Sequence, residues 1–380
     1  MNLRPVLLSD LAGVQALHRQ VGWPARSPAG WRWLFDNPAR TELGAPAGWV
    51  VETGDGALTA HVGNLVHRFR LGERTLHGAT GFSIIVSPAA KGASRKLIRT
   101  FLSQPGVFAA YTLNANALSQ PIYPLFGMQA WPAETHALKL SWPVDLAPLA
   151  VSRALKLALK IAPGPVSGMG EQLMNGRLGR EARFSLPEGV TRLDRPHESS
   201  RYAAFWEALA ADGALLADRS PAALAWRLAD PDQTLPPLVL AFERAGRITG
   251  YAMAMLAKTN ILEPPVLEIL DLQALADEPD AIPTLMTALT GAARPLGAAK
   301  VRLQVMSPRL LERLGPWTET ARREGGWGHC HVQFAPDAPV NLWSPTPWDG
   351  DYAACLRPVP IGEQVRARRG ERVQPSMAKA

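Results

Sequence analysis

Four polar or small residues follow one apolar run at fixed intervals and mark the stretch of this chain best suited to chemistry. The run covers residues 107–113, and Asn116, Ser119, Tyr123 and Gly127 come after it. The amide and the two hydroxyls can donate and accept hydrogen bonds. A run that is apolar on both alternating faces is typical of a strand buried within a sheet. Because open α/β sheets bind ligands at the carboxyl ends of their strands, the pattern predicts a ligand site here.

The segment after this strand is predicted to be a helix. Residues 117–126 carry apolar side chains at helical spacing, and Gly127 is suited to the left-handed conformation that ends a helix. The apolar positions are Leu118, Ile122, Leu125 and Phe126. Both polar residues have a purely structural alternative to a role in a ligand site. Under that alternative, Tyr123 is a half-buried packing residue and Asn116 is a helix cap.

The intervals between Asn116, Ser119, Tyr123, Gly127 and Met128 resemble the signature that closes the cofactor site of GNAT-superfamily acyltransferases. In that family an asparagine is followed by a small residue, a tyrosine and a glycine–apolar pair at these positions. The resemblance implies that Asn116 and Ser119 help to hold acyl-CoA and that Tyr123 is catalytic, giving a proton to the departing CoA thiolate. It also implies direct transfer, in which an acceptor amine attacks the thioester.

A second motif lies one strand upstream, where a glycine-bearing loop leads from a strand into a helix. Such a loop exposes backbone N–H groups at a helix amino terminus, which stabilises a pyrophosphate. The GNAT pattern places a basic residue before two small residues in this loop; this chain keeps the basic residue and one glycine. The resemblance implies that acyl-CoA binds where the two strands separate. The implied cofactor-binding residues before Asn116 are Ile84, Val86, Lys91, Gly92, Ala93 and Ser94.

The general base is not evident from the sequence. Acyl transfer to an amine requires the amine to be deprotonated, commonly by a carboxylate or a relay water. GNAT enzymes often carry a glutamate on the strand before the loop, and residues 81–86 contain none. The neighbouring strands offer Ser83, His77 and Glu52, and none of the three is assigned.

Composition narrows the class of protein. The chain has 380 residues, 47% of them hydrophobic, which suits two globular domains. Its net charge of +7 favours anionic partners without choosing among them, and no DNA-binding signature is visible. The amino terminus lacks a signal-peptide core and no apolar run is long enough to span a bilayer. Two cysteines, Cys330 and Cys355, provide no disulfide framework, so we expect a cytoplasmic protein.

The first pattern recurs in the second half of the chain, which predicts a tandem duplication. Ser27 and Pro28 have counterparts in Ser220 and Pro221, and further matches follow at the same offset. The predicted fold is α/β (α+β): two tandem GNAT-like domains, each a mixed, mostly antiparallel twisted sheet with helices on both faces. The second copy places Leu311 at the position of Tyr123 and lacks a glycine loop, so we expect the chemistry in the first.

The predicted organisation has four parts: a GNAT domain at 1–143, a basic amphipathic helix and linker at 144–190, a degenerate second GNAT-like domain at 191–345, and a tail at 346–380. The basic helix is expected to pack on its own domains rather than on a membrane. His329 and His331 share one face of a predicted strand, but a zinc site needs three or four ligands, so no metal is predicted. Asp349 and Asp351 lie on a predicted turn and resemble an end segment of some tandem GNAT-like proteins; a plain turn is the alternative.

Together these patterns predict an N-acyltransferase, most simply an N-acetyltransferase, that uses acetyl-CoA or another acyl-CoA. The expected acceptor is a small-molecule amine, with an amino sugar among the candidates. Two alternatives remain: a catalytically inactive GNAT-fold binding protein, and an aminoacyl-tRNA-dependent transferase of the tandem GNAT type. The sequence does not identify the acceptor, the acyl chain length or the oligomeric state.

Overall fold

A computed structural model describes residues 2–23, 26–159, 170, 173–175, 178, 182–258, 262–325 and 327–355. The end of the predicted basic helix, most of the linker after it and the tail beyond 355 lie outside the described residues. Within the described residues, the helices are too short or too polar to cross a membrane.

The first half of the chain contains seven strands and five α-helices among its described residues. The strands are β1 (Asn2–Pro5), β2 (Gly48–Glu52), β3 (Leu58–Leu71), β4 (Arg74–Val86), β5 (Ala109–Asn116), β6 (Gln129–Ala130) and β7 (Lys139–Pro143). The helices are α1 (Leu11–Gln20), α2 (Pro28–Phe35), α3 (Pro38–Leu43), α4 (Ala93–Leu102) and α5 (Leu146–Leu159).

The second half repeats this order of strands and helices and has eight strands and six α-helices among its described residues. Its strands are β8 (Val190–Arg192), β9 (Leu216–Ala217), β10 (Leu238–Arg244), β11 (Arg247–Ala257), β12 (Val266–Ala274), β13 (Lys300–Gln304), β14 (Arg322–Glu324) and β15 (Trp327–Phe334). Its helices are α6 (Ser200–Ala210), α7 (Pro221–Leu228), α8 (Ala281–Ala293), α9 (Pro308–Leu314), α10 (Trp317–Thr320) and α11 (Tyr352–Cys355).

The repeated Ser-Pro pairs begin equivalent helices. Ser27 caps α2 by accepting the Gly30 N–H, and Ser220 caps α7 by accepting the Ala223 N–H. In each helix the proline follows the cap, where its missing N–H costs no hydrogen bond. The duplication read from the sequence is therefore visible in local structure.

Two mixed sheets carry the fold: the first takes β9 and β15 from the second half of the chain, and the second takes β7 from the first half. The first sheet runs β1-β2-β3-β4-β5-β15-β6, with β9 on the end of β3, and the second runs β14-β7-β13-β12-β11-β10-β8. The pairs β4–β5 and β12–β13 are parallel; the other neighbouring pairs are antiparallel. Strand β7 pairs with β13, and β15 pairs with β5, so strands cross between the halves. The four-part organisation stays a prediction.

Helices cover both faces of the sheets, as predicted. On β11, Tyr251 and Met253 pack into the same core as α6, whereas the alternate residues Ala252 and Ala254 pack with α8. Successive strand residues point to opposite faces, so α6 and α8 lie on opposite sides of this sheet. The α/β fold class with two GNAT-like sheets is confirmed.

A shared core joins the two halves. One buried cluster contains Phe69, Tyr111 and Leu113 from the first half together with Trp206 and Tyr251 from the second. Next to a separate cluster that contains Trp31 and Leu34, the equivalent tryptophans of the two copies, Trp33 and Trp226, stack with ring centroids 4.3 Å apart. The halves are thus held together by packing as well as by exchanged strands.

The predicted helix at 117–126 is replaced by a turn and a shorter 3₁₀ helix, Gln120–Phe126. Pro121 and Pro124 lack the N–H groups that an α-helix needs, which favours the tighter and shorter element. Leu118 is 86% exposed and Leu125 is 78% exposed, so the predicted apolar face is wrong for these two residues. The glycine stop is confirmed, since Gly127 has φ of 84°.

Candidate active site

The strands β4 and β5 separate after a short parallel ladder. Their pairing covers Gly78 with Ala109 through Thr80 with Tyr111 and stops there. On the other side of β4 the register skips Ser83, whose φ is 52°, and the neighbouring Ile84. A bulge of this kind bends a strand away from its neighbour. The sequence therefore builds an opening between two central strands of the first sheet.

A cavity of about 270 Å³ occupies this opening. Its walls include Ile84 from the bulged strand and Ile98 from α4. Three of the predicted site residues from the first motif, Asn116, Ser119 and Tyr123, also line it. The first motif and Ile84 from the strand before the predicted loop thus lie at one cavity.

Asn116 and Ser119 form a local turn at the cavity wall. The Asn116 side-chain oxygen accepts the N–H groups of Leu118 at 3.0 Å and Ser119 at 2.9 Å. The Ser119 hydroxyl accepts the Asn116 N–H at 3.2 Å. The Asn116 side chain therefore stabilises the turn before the 3₁₀ helix, whose N-cap is Ser119, and Asn116 also lines the cavity.

Tyr123 carries a hydroxyl that keeps its proton. Its side chain is 9% exposed, and burial is the main cause that raises its pKa above 10.0. Hydrogen bonds with the Ser119 and Thr112 hydroxyls oppose this rise, and the charge of Asp351 adds to it. The ring packs 5.5 Å from that of His331, whose pKa falls to about 4 mainly through burial. A neutral phenol beside a neutral imidazole is suited to proton donation.

The cavity also contains a carboxylate that the sequence analysis did not select. Asp351 lines the cavity, is 3% exposed and acts electrostatically on Tyr123. It lies 228 positions after Tyr123 along the chain (351 − 123), in the segment for which a plain turn was the alternative. The sequence marks this segment only by its Asp-Gly-Asp motif at residues 349–351. That motif does not indicate which part of the fold the segment packs against.

The neighbouring Asp349 fixes this segment in place. Its carboxylate pairs with Arg219 at 3.1 Å and accepts the indole N–H of Trp343 at 2.8 Å. Arg219 also binds Asp271 at 2.6 Å, and the three charged side chains are at most 1% exposed. Burial raises the pKa of Asp349, and the Arg219 charge opposes that rise. Arg219 and Asp271 belong to the second copy, so that copy positions a residue of the first site.

Backbone contacts reinforce the anchor on both sides of Asp349. Its carbonyl oxygen accepts the Tyr111 hydroxyl at 2.7 Å, and the Trp348 carbonyl accepts the guanidinium of Arg227 at 2.5 Å. The Tyr352 hydroxyl donates to the Leu113 carbonyl at 3.2 Å. Because Tyr111 and Leu113 belong to β5, the segment is tied directly to the strand that forms the cavity wall.

The predicted pyrophosphate loop lies at the start of α4. Gly92 caps this ten-residue helix with φ of 90°, and Lys91 before it is exposed. Ala93 is buried and Ser94 is half-buried in the first turn. Val86 ends β4 opposite Ala60. None of these five residues lines the cavity, whereas Ile98 of the same helix does, so α4 connects the loop to the cavity.

Comparisons with known proteins support the fold but not a closer relationship. No protein-family model and no curated protein matches the chain. A GCN5-related N-acetyltransferase from Kribbella flavida superposes with a TM-score of 0.50 at 16% identity, covering 88% of this chain and 71% of that one. One from Anabaena variabilis gives a TM-score of 0.50 at 14% identity, covering 88% and 72%. The chain has a tandem GNAT fold.

The second GNAT-like copy has little room for a ligand between its strands. The cavity near the ends of β12 and β13 measures about 40 Å³. Glu268 and Arg302 form a buried ion pair where these strands meet, and Gln304 donates to the same glutamate at 3.3 Å. Leu311, at the position of Tyr123, packs against the hydrophobic core. That the chemistry lies in the first copy stays a prediction.

The histidine pair on β15 does not form part of a metal-ligand cluster. Within the residues that the structure describes, no group of three or more histidine, cysteine or acidic side chains is placed to hold a metal ion. The β15–β5 register is irregular on both sides of His329, and His331 packs on Tyr123 instead. Cys330 between them is buried, which raises the pKa of its thiol to about 12 and makes it a poor nucleophile.

Proposed function

We propose that this protein is an acyl-CoA-dependent N-acyltransferase acting through the cavity of its first copy. The observation that carries the proposal is the presence of the Tyr123 phenol and the Asp351 carboxylate in one cavity between separating strands. A proton donor and a proton acceptor in one enclosed site are what acyl transfer to an amine requires. The tandem GNAT fold supports this class of reaction as an analogy.

The residues of the first copy fit an acyl-CoA. The amino terminus of α4 follows Lys91 and the left-handed Gly92, and a side chain added at Gly92 would meet nothing within 4 Å. Open space, a lysine and a helix dipole favour a pyrophosphate. Further along α4, Arg95, Lys96 and Arg99 are exposed and add positive charge. When bound, acyl-CoA supplies an acyl group activated as a thioester.

Each cavity residue then has a defined task. Asp351 holds the incoming ammonium and accepts its proton. Ser83 and Ile84 are left out of the β3 ladder by the bulge and line the cavity, so we assign the thioester carbonyl to this part of the wall. Tyr123 keeps its proton at Oη and donates it to the leaving sulfur. In the net reaction the amine nitrogen gains the acyl group, the sulfur leaves as a thiol and one proton is released.

Titration calorimetry with acetyl-CoA and with CoA is the direct test of this proposal. We expect micromolar binding of both, weakened about tenfold by Lys91→Ala, since a lost phosphate contact of about 1.4 kcal/mol is a tenfold change. Arg74→Ala, an exposed change at the start of β4, is the matched control and leaves binding unchanged. Failure of both ligands to bind the wild-type protein would refute acyl-CoA dependence and favour the inactive binding protein.

A further inference from the structure

The remainder of the cavity wall comes from outside the sheet and differs in chemistry from the strand side. The segments around α1 and α2 contribute His18, Trp23, Arg26 and Trp31, and the C-terminal segment contributes Asp351. This wall is where an acceptor would lie, because the strand side holds the thioester in the proposed function. Its side chains therefore determine which amines fit.

Aromatic rings dominate this wall. The Trp31 ring meets the His18 ring edge-on at 4.9 Å, and Trp23 meets the same imidazole edge-on at 5.8 Å. The Trp31 indole N–H donates to Gln15 at 2.6 Å, so its hydrogen bond is made within the protein. Phe82 of the bulged strand also lines the cavity. Such rings bind apolar bodies by contact and cations through their faces.

The arginine in this wall is already engaged by the protein. Its guanidinium pairs with Asp230 at 2.5 Å and Asp232 at 3.3 Å, and it donates to the Ala354 carbonyl at 3.1 Å. Arg26 therefore faces two carboxylates and a carbonyl, and its side chain is 9% exposed. Asp230 and Asp232 thus neutralise the charge of Arg26, and the Asp351 carboxylate lines the same cavity. This arrangement favours a positive ligand and disfavours a carboxylate.

The cavity volume limits the size of the acceptor. About 270 Å³ lies below the range of about 300–1,000 Å³ typical of small-molecule sites. Part of this volume must also receive the acyl group. A compact amine with a single apolar body is therefore favoured over a large or strongly hydrated one.

We propose that the acceptor is a small primary amine carried on an apolar, aromatic body without a carboxylate. Its ammonium lies at Asp351, and its body packs against Trp23, Trp31 and Phe82. This inference rests on the proposed N-acyltransferase function and specifies its substrate class. It departs from the amino sugar considered from the sequence, because the hydroxyls of a sugar would lose water against these rings without replacement partners.

Matched pairs of amines test the inference. Phenethylamine and phenylalanine differ by one carboxylate, as do tryptamine and tryptophan, and glucosamine represents the polar alternative. With saturating acetyl-CoA, thiol release should give kcat/KM at least about tenfold higher for each amine than for its amino acid, the effect of about 1.4 kcal/mol of repulsion. Equal or reversed preference within the pairs, or preference for glucosamine, would overturn the proposed substrate class.

Binding without turnover separates the two proposals. Phenethylamine and phenylalanine are titrated into the protein saturated with CoA, and tryptophan fluorescence is followed. Selective binding of phenethylamine supports the inference even if transfer is slow. If acetyl-CoA binds but phenethylamine does not, the substrate class is wrong while the proposed function stands. If acetyl-CoA itself does not bind, the proposed function fails.

Variants locate the acceptor on this wall. Trp23 is half-buried, so Trp23→Ala should leave the fold intact, raise KM for phenethylamine about tenfold or more and leave acetyl-CoA binding unchanged. Trp23→Phe, which keeps a ring, should restore most of the lost affinity. An equal KM in wild type and Trp23→Ala would contradict the assigned location. Asp55→Asn, in an exposed turn, is the control.

Discussion

Replacing Asp349 by asparagine should strongly destabilise the protein. The wild-type carboxylate is 1% exposed and binds Arg219 with one oxygen and the N–H groups of Trp343 and Thr346 with the other. An asparagine keeps one acceptor oxygen, so its NH₂ group must face either the guanidinium or the two N–H donors. At least one buried donor then lacks a partner, at about 1–3 kcal/mol, and a charged hydrogen bond is lost at about 1.5–3 kcal/mol.

These two costs together predict a loss of about 3–5 kcal/mol in the free energy of unfolding, the range for breaking a buried ion pair. Arg219 keeps Asp271 and the Ala217 carbonyl, which favours the lower end of that range. Urea unfolding at pH 7.5, followed by far-ultraviolet circular dichroism, measures the difference. A loss below about 1 kcal/mol would show that the carboxyl is held neutral or is not an anchor.

The neighbouring aspartate provides the matched comparison. Asp351→Asn removes a charge from the cavity without removing the Arg219 pair, so stability should change by less than about 1 kcal/mol. Amine acylation should fall about 100-fold or more, as for the loss of a general base. If both variants had the same effects on stability and activity, the separate roles of anchor and base would be refuted.

Three further outcomes are expected. Tyr123→Phe should lower turnover about 100-fold while leaving acetyl-CoA binding within threefold, and unchanged turnover would remove Tyr123 from the mechanism. Burial lowers the pKa of His61 from 6.5 to about 3, so as the pH falls from 7.5 to 5.5 this side chain takes up a proton in the unfolded chain but not in the folded one. His61 should contribute about 1.4 kcal/mol to the resulting loss of stability, in addition to the contributions of His67 and His331, and His61→Gln should remove its share. Trp226→Ala should cost roughly 2 kcal/mol in urea unfolding, less than a fully buried tryptophan, and its effect should not add to that of Trp33→Ala if the stack joins the repeats.

Elements governed by local pattern could be predicted from the sequence. The apolar run before Asn116 became β5, and the Ser-Pro pairs at 27 and 220 began matching helices. Hydrophobic periodicity and capping act over a few residues, so a single sequence contains them. The helix expected at 117–126 was wrong in type because its periodicity was weighed without Pro121 and Pro124.

Long-range pairings could not be predicted in the same way. Nothing in residues 139–143 distinguishes pairing with β5 from pairing with β13, since both are buried strands that offer the same backbone groups. The proposed base, Asp351, was missed for the same reason. Asp351 reaches the first cavity through Arg219 and Tyr111, which bind the neighbouring Asp349 and lie far from it in the sequence.

The second copy can therefore be understood as part of the first copy's site. The described cavity near the ends of its strands β12 and β13 is small, and the buried Glu268–Arg302 ion pair joins those two strands. Its Arg219, however, holds the segment that delivers Asp351, and its strand β15 lies beside β5 and packs His331 on Tyr123. In the proposed function, the proton acceptor and the residue that packs on the proton donor thus both come from sequence beyond residue 190. The first copy alone would lack them, which gives the duplication a chemical consequence.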